Sequence, residues 1–460
     1  MSGVAKKLMS ASGGAVESDE FFNNVSLLLH GDGTDGGQNN TFLDGSTNNF
    51  TIVRNGNTTQ GSFSPYDAST LGGSAYFDGT TNVLTIDFVA FPTPLAFTND
   101  TTSVGTIEAW VYLTETPVSG SALATNSTII AIGDTYVDFG VASDLRLKYY
   151  WWTGQANVVY STGTVSLNAW HHVAIVKAAS TVTFYIDGVA SGSATVTGLA
   201  WATGANGSKL RVGNQFGSNE QSPMRGYIVD LRCVDAQVYT SNFTPPTEPL
   251  TAISGTELLC NFTNAAIFDS AAKNVLETVG NAQIDTTVVK YGTGAIQFDG
   301  VGDYVVQPTN LNYGYGTGDF TIEFWLYLNS TATQTIVSNL SSASSTNPNI
   351  YINSTIRYST VGADRITGAA LSTGQWYHIA LCRASGLTKL FVDGSQSGAT
   401  YSDPNNYGTT APLALGTYWN SGSPVTGTTL NGYIDDLRIT KGVARYTANF
   451  TPRSRAFPDQ

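Results

Sequence analysis

Glu108 and Glu323 each stand in a Thr-Ile-Glu-x-Trp block, where a strand carboxylate could act as acid or nucleophile on a polysaccharide. That chemistry needs a second carboxylate about 5–9.5 Å away, across the scissile bond. Along their own strands, Glu108 and Glu323 are followed on the same face by Trp110 and Trp325 rather than by another acid. His171, His172 and His378 lie in apolar strand blocks and read as satisfied structural histidines, so a Ser/His/Asp nucleophile is not expected either. No Cys/His spacing suits zinc. Cys233, Cys260 and Cys382 are too few for a disulfide framework and read as small buried hydrophobes. The expectation is a protein without catalysis, with a polysaccharide hydrolase as the alternative.

Sugar binding asks for something else: flat aromatic faces flanked by amides and hydroxyls. Two runs qualify, Tyr149-Tyr150-Trp151-Trp152 and Tyr418-Trp419-Asn420. A period of two lets only half of the first run face a core. The candidate glycan-binding residues are therefore Tyr150, Trp152, Tyr418, Trp419 and Asn420, against the reading that these rings pack beneath a loop or at a subunit contact. Trp110, Trp170, Trp325 and Trp376 recur inside strand blocks and are expected in the core.

The elements that must position these groups show themselves as a repeat. Trp170-His171-His172-Val173-Ala174 returns as Trp376-Tyr377-His378-Ile379-Ala380, and Gly226-Tyr227-Ile228-Val229-Asp230-Leu231-Arg232 as Gly432-Tyr433-Ile434-Asp435-Asp436-Leu437-Arg438, both at an offset of 206. Thr106–Trp110 returns as Thr321–Trp325 at 215, and Phe77-Asp78-Gly79 as Phe298-Asp299-Gly300 at 221. The offset changes between blocks, as when strands are kept and loops vary. Within blocks the alternation is that of strands: Ile107, Ala109, Val111 and Leu113 share one face, as do Ile322, Phe324, Leu326 and Leu328. Asp187-Gly188 and Asp393-Gly394 supply hairpin turns. The fold class expected is all-β: two tandem antiparallel β-sandwich jelly rolls. The division reads as an N-terminal arm over 1–24, a first jelly roll over 25–250 and a second over 251–460. Helix is expected only within Asp269–Thr278 and part of Met1–Phe22.

Composition narrows the function classes. With 21 basic against 34 acidic groups and a net charge of -13, a phosphate-tracking nucleic-acid binder is excluded. No run of about 18 apolar residues exists, so no membrane-inserting helix is expected. Charged residues are only 12% of the chain; the polarity lies in hydroxyls and amides. No apolar segment follows Lys6 and Lys7, so synthesis in a cytoplasm without a signal peptide is expected.

Together, the Phe-Asp-Gly, Thr-Ile-Glu-x-Trp, Trp-x-His, Asp-Gly and Gly-Tyr-Ile-x-Asp-Leu-Arg blocks resemble the laminin-G-like, concanavalin A-like lectin/glucanase superfamily. The resemblance implies jelly rolls with variable loops at one rim. The Glu-x-Asp-x-x-Glu pattern of its glucanase branch is missing. Many relatives hold Ca²⁺ at the rim through oxygen ligands, which points to Asp32, Asp35 and Asp44 in the acidic, Gly-rich opening as candidate ligands; no other cofactor is expected. Val25–Gly33, Asn40–Asp44 and Thr59–Pro65, with the endings Tyr239–Pro245 and Tyr446–Pro452, are similar to virion proteins of tailed bacteriophages. That narrower resemblance implies a tail-fibre or capsid-surface appendage. It would be displayed on the virion, docked on other virion proteins through the N-terminal arm, homo-oligomeric, and bound to host-surface polysaccharide. The alternative is a purely structural capsid decoration or fibre spacer.

Overall fold

A computed structural model of the chain describes residues 19–42, 51–66, 73–87, 104–117, 126–132, 137–152, 156–197, 209–217, 220–254, 256–260, 276–307, 313–340, 346–408, 412–420, 423–425 and 427–458. The fold is all-β, with two copies of an antiparallel jelly roll. In the first copy, the sheet carrying the repeated motifs runs Val189–Thr195, Thr181–Ile186, Trp170–Ala178, Val104–Leu113, Arg225–Val234, Ser74–Asp78, Thr59–Gly61. Its partner sheet runs Ala156–Thr164, Arg146–Trp152, Val137–Ala142, Asn126–Ile132, Lys209–Val212, Val83–Asp87, Val53–Asn55. The second copy repeats the plan around Phe320–Leu328, flanked by Trp376–Ala384 and Asn431–Lys441.

The period-two pattern decides which residues fill each sandwich. Ile107, Ala109, Val111 and Leu113 enter the first core with Val173, Ile175, Phe184 and Ile228. Ile322, Phe324, Leu326 and Leu328 enter the second with Ile379, Leu381, Leu390 and Ile434. All three cysteines are buried and none forms a disulfide. Of the helix expected over Asp269–Thr278, residues 269–275 lie outside the described residues, and Thr278 belongs to the strand Glu277–Val279. Near the N-terminus a single 3₁₀ turn forms, Phe22–Asn24.

The last motif strand of each copy changes partner halfway along. Arg225–Ile228 pairs with Ser74–Asp78, and Leu231–Val234 with Thr256–Cys260. In the second copy, Asn431–Ile434 pairs with Ala295–Asp299, and Leu437–Thr440 with Val25–Leu29. Between the halves stand Asp230 (φ 50°) and Asp436 (φ 51°), left-handed residues at a register shift against the neighbouring strand. This is a β-bulge, and Asp tolerates the conformation better than most residues.

The sheets therefore assign two segments otherwise than the sequence repeat does. The strand that opens the first repeat, Val25–Leu29, completes the second copy, and the strand that opens the second repeat, Thr256–Cys260, completes the first. In space the first copy is drawn from residues 51–260. The second is drawn from 276–458 together with 19–39, while Phe42 packs in the first core. The arm is fastened throughout this stretch: Asp19 bridges Arg438 and Arg445, and His30 Nδ1 lies 2.6 Å from Asp436, 406 residues away. Asn39 then bonds Thr278 and the carbonyl of Leu276. Residues 1–18, the rest of the expected docking arm, lie outside the described residues.

Val25, Leu27, Leu28 and Leu29 are all completely buried. At about 1.5–3 kcal/mol per side chain, their loss rivals the net stability of a whole domain, about 5–15 kcal/mol. Deleting residues 1–38, which spares Phe42 of the first core, is expected to abolish the calorimetric transition of the second copy while the first still melts cooperatively. An unchanged thermogram would refute this pairing of strands.

Candidate functional site

Each motif sheet presents an outer face of three transverse rows, and the first is closed. Glu108 and Glu323 point away from the core, since their neighbours in sequence point into it. Glu108 Oε1 accepts from Arg232 Nε and Nη2 at 2.9 and 2.6 Å, and Oε2 from the Tyr239 hydroxyl at 2.6 Å. Glu323 repeats this with Arg438 at 3.0 and 2.8 Å and Tyr446 at 2.8 Å. His172 and His378 place Nε2 at 3.2 and 3.4 Å from the second oxygen. Burial would raise the Glu323 pKa, but the Arg438 charge and His378 outweigh it and hold the carboxyl down to about 2. Glu108 is lowered for the same kind of reason, burial being overcome by His172 and Arg232. Both oxygens of each glutamate are engaged. The quartet pins the chain segment that follows the last strand, whose stacked pairs Tyr239–Phe243 and Tyr446–Phe450 (ring centroids 3.5 Å in each) cover the histidines.

In the second row, His378, Trp325 and Asp435 are cross-strand neighbours. Asp435 occupies the place of Val229 in the first copy and accepts from the backbone N–H groups of Lys290 and Tyr291 at 2.9 and 3.0 Å. Burial still dominates and pushes its pKa up to about 7.

The third row is partly open. In the first copy, Trp170, Tyr112, Tyr227, Tyr76 and Thr59 are successive cross-strand partners. In the second, the row reads Trp376, Tyr327, Tyr433, Gln297 and Gln283. Five strands at about 4.8 Å spacing make a strip about 19 Å long. Trp170, Tyr112, Trp376 and Tyr327 are half-buried. Aromatic faces interleaved with hydroxyls and amides are the surface that sugar rings stack on. Sequence reading missed this strip because Trp170 and Trp376 were expected in the core. They and Trp110 and Trp325 instead stand on the outer face, outside the inter-sheet clusters. The signal was present: each Trp and Tyr of the strip's first three positions recurs at the motif offsets.

The residues proposed from sequence distribute differently. Tyr149 and Trp151 enter the core, so Tyr150 belongs to the opposite face of that strand, and the Trp152 side chain lies outside the described residues. Tyr150 is nonetheless completely buried, with Lys148 Nζ 5.7 Å from its ring. Tyr418, Trp419 and Asn420 form a half-buried strand paired with Ser423–Val425, and Trp419 meets Tyr304 edge-on at 6.0 Å. Among the described residues, no ring contact joins Tyr150 to Tyr418 or Trp419, or any of the three to the aromatic strips. Asp32 accepts from Thr293 N at 2.5 Å and Asp35 from Thr286 N at 3.2 Å, both fastening the arm to the second copy. Asp44 lies outside the described residues. Among the described residues no three acidic, His or Cys side chains converge.

One arrangement at the rim has the outline of a nucleophilic triad. Ser166 Oγ is 2.8 Å from His171 Nε2, and His171 Nδ1 is 2.8 Å from Asp187 Oδ2. However, Nε2 already accepts the Ser166 backbone N–H at 3.0 Å. At the equivalent position the Tyr377 hydroxyl accepts the Ser372 N–H at 2.9 Å. The shared role is to hold the turn before the strand, and a tyrosine performs it without any base.

A family model described as the concanavalin A-like lectin/glucanases superfamily matches residues 79–238 and 299–445, once in each copy. No curated protein matches the chain. Similar solved structures include domains LG4-5 of the mouse laminin alpha1 chain, at 16% identity over 87% of this chain and 93% of that one, with a TM-score of 0.29. Domain 4 of an extracellular arabinanase from Geobacillus stearothermophilus, solved with arabinotriose, is 21% identical over 38% of this chain and 87% of its own, with a TM-score of 0.30. A heptameric pentraxin from Limulus polyphemus is 15% identical over 41% and 90%, with a TM-score of 0.27. The lectin-like fold supports a binding role.

Two buried acids of the second copy, Glu323 and Asp435, should respond to pH with opposite signs. Glu323 is lowered in the fold, so its contribution is full above the unfolded value of about 4.3 and is lost as pH falls through about 2. Glu323→Gln should cost about 3–5 kcal/mol at pH 7, and less at pH 3, in urea denaturation. Asp435 is raised, so it favours the fold below about 4 and opposes it as pH rises through about 7. Asp435→Asn should therefore gain on the unsubstituted protein in melting temperature between pH 5 and pH 8.

Proposed function

The chain belongs to the concanavalin A-like lectin/glucanases superfamily, and from that premise we propose that it is a non-enzymatic surface appendage of a tailed-phage particle that attaches to host-surface glycan. The observation that carries the binding role is the outward aromatic strip present in both copies, Trp170–Tyr112–Tyr227 and Trp376–Tyr327–Tyr433. A strip of this kind offers stacking faces rather than a pocket, which suits a polymer running across the sheet. Several chains assembled on one particle would multiply weak single contacts into useful avidity. The motif openings and endings that resemble phage virion proteins support the particle setting. In that setting the chain is made in the host cytoplasm, displayed on the virion and assembled with its own copies. It meets other virion proteins through the N-terminal arm. The proposal needs no metal or cofactor.

Absence of catalysis is supported by the engagement of Glu108 and Glu323 with arginine and tyrosine, and by the double use of the His171 acceptor. The intact protein is expected to bind, saturably, at least one member of a panel of bacterial polysaccharides and lipopolysaccharides. It should release no reducing ends from the bound polymer. A fluorophosphonate probe should leave Ser166 unlabelled, and labelling there would overturn the non-enzymatic assignment. Folded protein that binds none of the panel would leave a structural virion role.

A further inference from the structure

We infer that the two aromatic strips differ as binding sites: the second copy's is open to a neutral glycan, whereas the first copy's is filled by the chain's own Phe63. The inference rests on the glycan-binding reading above and assigns its site. Phe63 follows the strand Thr59–Gly61 and lies across the strip. Its ring centroid is 5.1 Å from Tyr112, 5.3 Å from Trp170 and 4.7 Å from Tyr227. A six-membered ring set against three aromatic side chains is what a bound sugar ring would present, so Phe63 marks the position of an occupant. Counting from the matching strand, Gln283–Asp285, the equivalent residue is Thr287. Thr287 is exposed, and its N–H and hydroxyl are both turned back onto Asp285 Oδ1 at 2.7 Å. Among the described residues no aromatic ring takes the place of Phe63 over Trp376, Tyr327 and Tyr433.

The remainder of the second strip fixes the chemistry of the occupant. Where the first copy has Tyr76 and Thr59, the second has Gln297 and Gln283. The Gln297 amide reaches the Tyr433 hydroxyl at 3.4 Å, and Gln283 reaches Gln297 at 3.3 Å. These amides lie in line with the rings and are half-buried, ready to bond ring hydroxyls. The charges alongside are negative: Asp299 and Asp285 follow Gln297 and Gln283 by two residues, on the same face. Lys290, one row inward, is held over the Trp325 ring at 3.8 Å. An acidic polymer would meet unbalanced carboxylates, and a neutral one would not.

The test uses the full chain, with dextran, mannan, galactan, polygalacturonate and a lipopolysaccharide panel as probes, read by calorimetric stoichiometry. A neutral member should bind with one site per chain, and polygalacturonate should not. Trp376→Ala should weaken binding at least tenfold, and Phe63→Ala should raise the stoichiometry to two. Gln297→Ala, which removes no core side chain, should also weaken binding and guards against a misfolded Trp376→Ala. As a ligand-free readout, N-bromosuccinimide should oxidise Trp376 faster than Trp170, and Phe63→Ala should remove the difference. Binding that survives both Trp376→Ala and Gln297→Ala would overturn this assignment and leave the glycan-binding reading standing. No binding by either the unsubstituted or the Phe63→Ala protein, both folded, would overturn the two together.

Discussion

A left-handed aspartate in the closing strand is the constraint from which the rest of the molecule follows. At Asp230 and Asp436 the backbone adopts φ near 50°, a conformation that costs most residues about 1–2 kcal/mol. The bulge turns the strand, so one long strand serves two partners in succession. Each aspartate also uses its carboxylate to secure what surrounds the turn. Asp230 accepts from the Tyr66 hydroxyl and the Leu250 N–H, and Asp436 meets His30 and accepts from the Phe457 N–H. The vacated second half of the strand edge must be paired, because an open edge invites association. A strand from elsewhere in the chain supplies the pairing. Downstream of the turn, Arg232 and Arg438 deliver their guanidinium groups to the buried glutamates, which in turn hold the covering segments in place.

Much of this was legible in the sequence because it is written twice. The alternation in Thr106–Leu113 and Phe320–Leu328 places the core faces correctly, and the Asp-Gly pairs mark the hairpins. What remained hidden has physical causes. A strand's period of two says which residues share a face but not which face is covered, so Trp170 and Trp376 looked like core while standing on the outside. Conversely Tyr150, on the face opposite the core, is buried. The strand assignment was hidden for another reason. Val25–Leu29 and Thr256–Cys260 are both short apolar runs that fit either copy, and only the three-dimensional route of the chain decides between them. The Ser166–His171–Asp187 contact arises from a turn that brings a loop serine back on the strand, and no spacing rule announces it.

Duplication has let the two outer faces diverge while the scaffold beneath stays the same. The quartet is retained in both copies down to the bidentate arginine, because removing one partner would strand a buried charge. Away from it the copies differ freely: Val229 against Asp435, Tyr76 against Gln297, Phe63 against Thr287. These differences lie on the outer face of the sheet, away from the residues that fill the sandwich. The first copy is the more apolar there, and its last strip residue, Thr59, donates to the Leu276 carbonyl of the second. One copy thus lends part of its surface to packing, and the other keeps its polar groups turned to solvent.

The order in which the chain leaves the ribosome does not match the order in which it can close. Leu28 leaves the ribosome 438 − 28 = 410 residues before its partner Arg438. At about 5–20 residues per second, the opening strand waits on the order of 20–80 s for its sheet to exist. During that time the nascent first copy offers the half-strand Leu231–Val234, which Thr256–Cys260 later covers. Early pairing of Val25–Leu29 there would be a near-native trap, since both runs present leucines to the same edge. The ties that distinguish the correct seat, Asp19 to Arg445 and Asn39 to Thr278, use partners absent from the first copy. Arg445 corresponds to Val238 there, each donating its backbone N–H to the equivalent threonine, Thr321 or Thr106. Polar contacts on either side of an apolar strand that fits either edge thus distinguish the late seat from the early one.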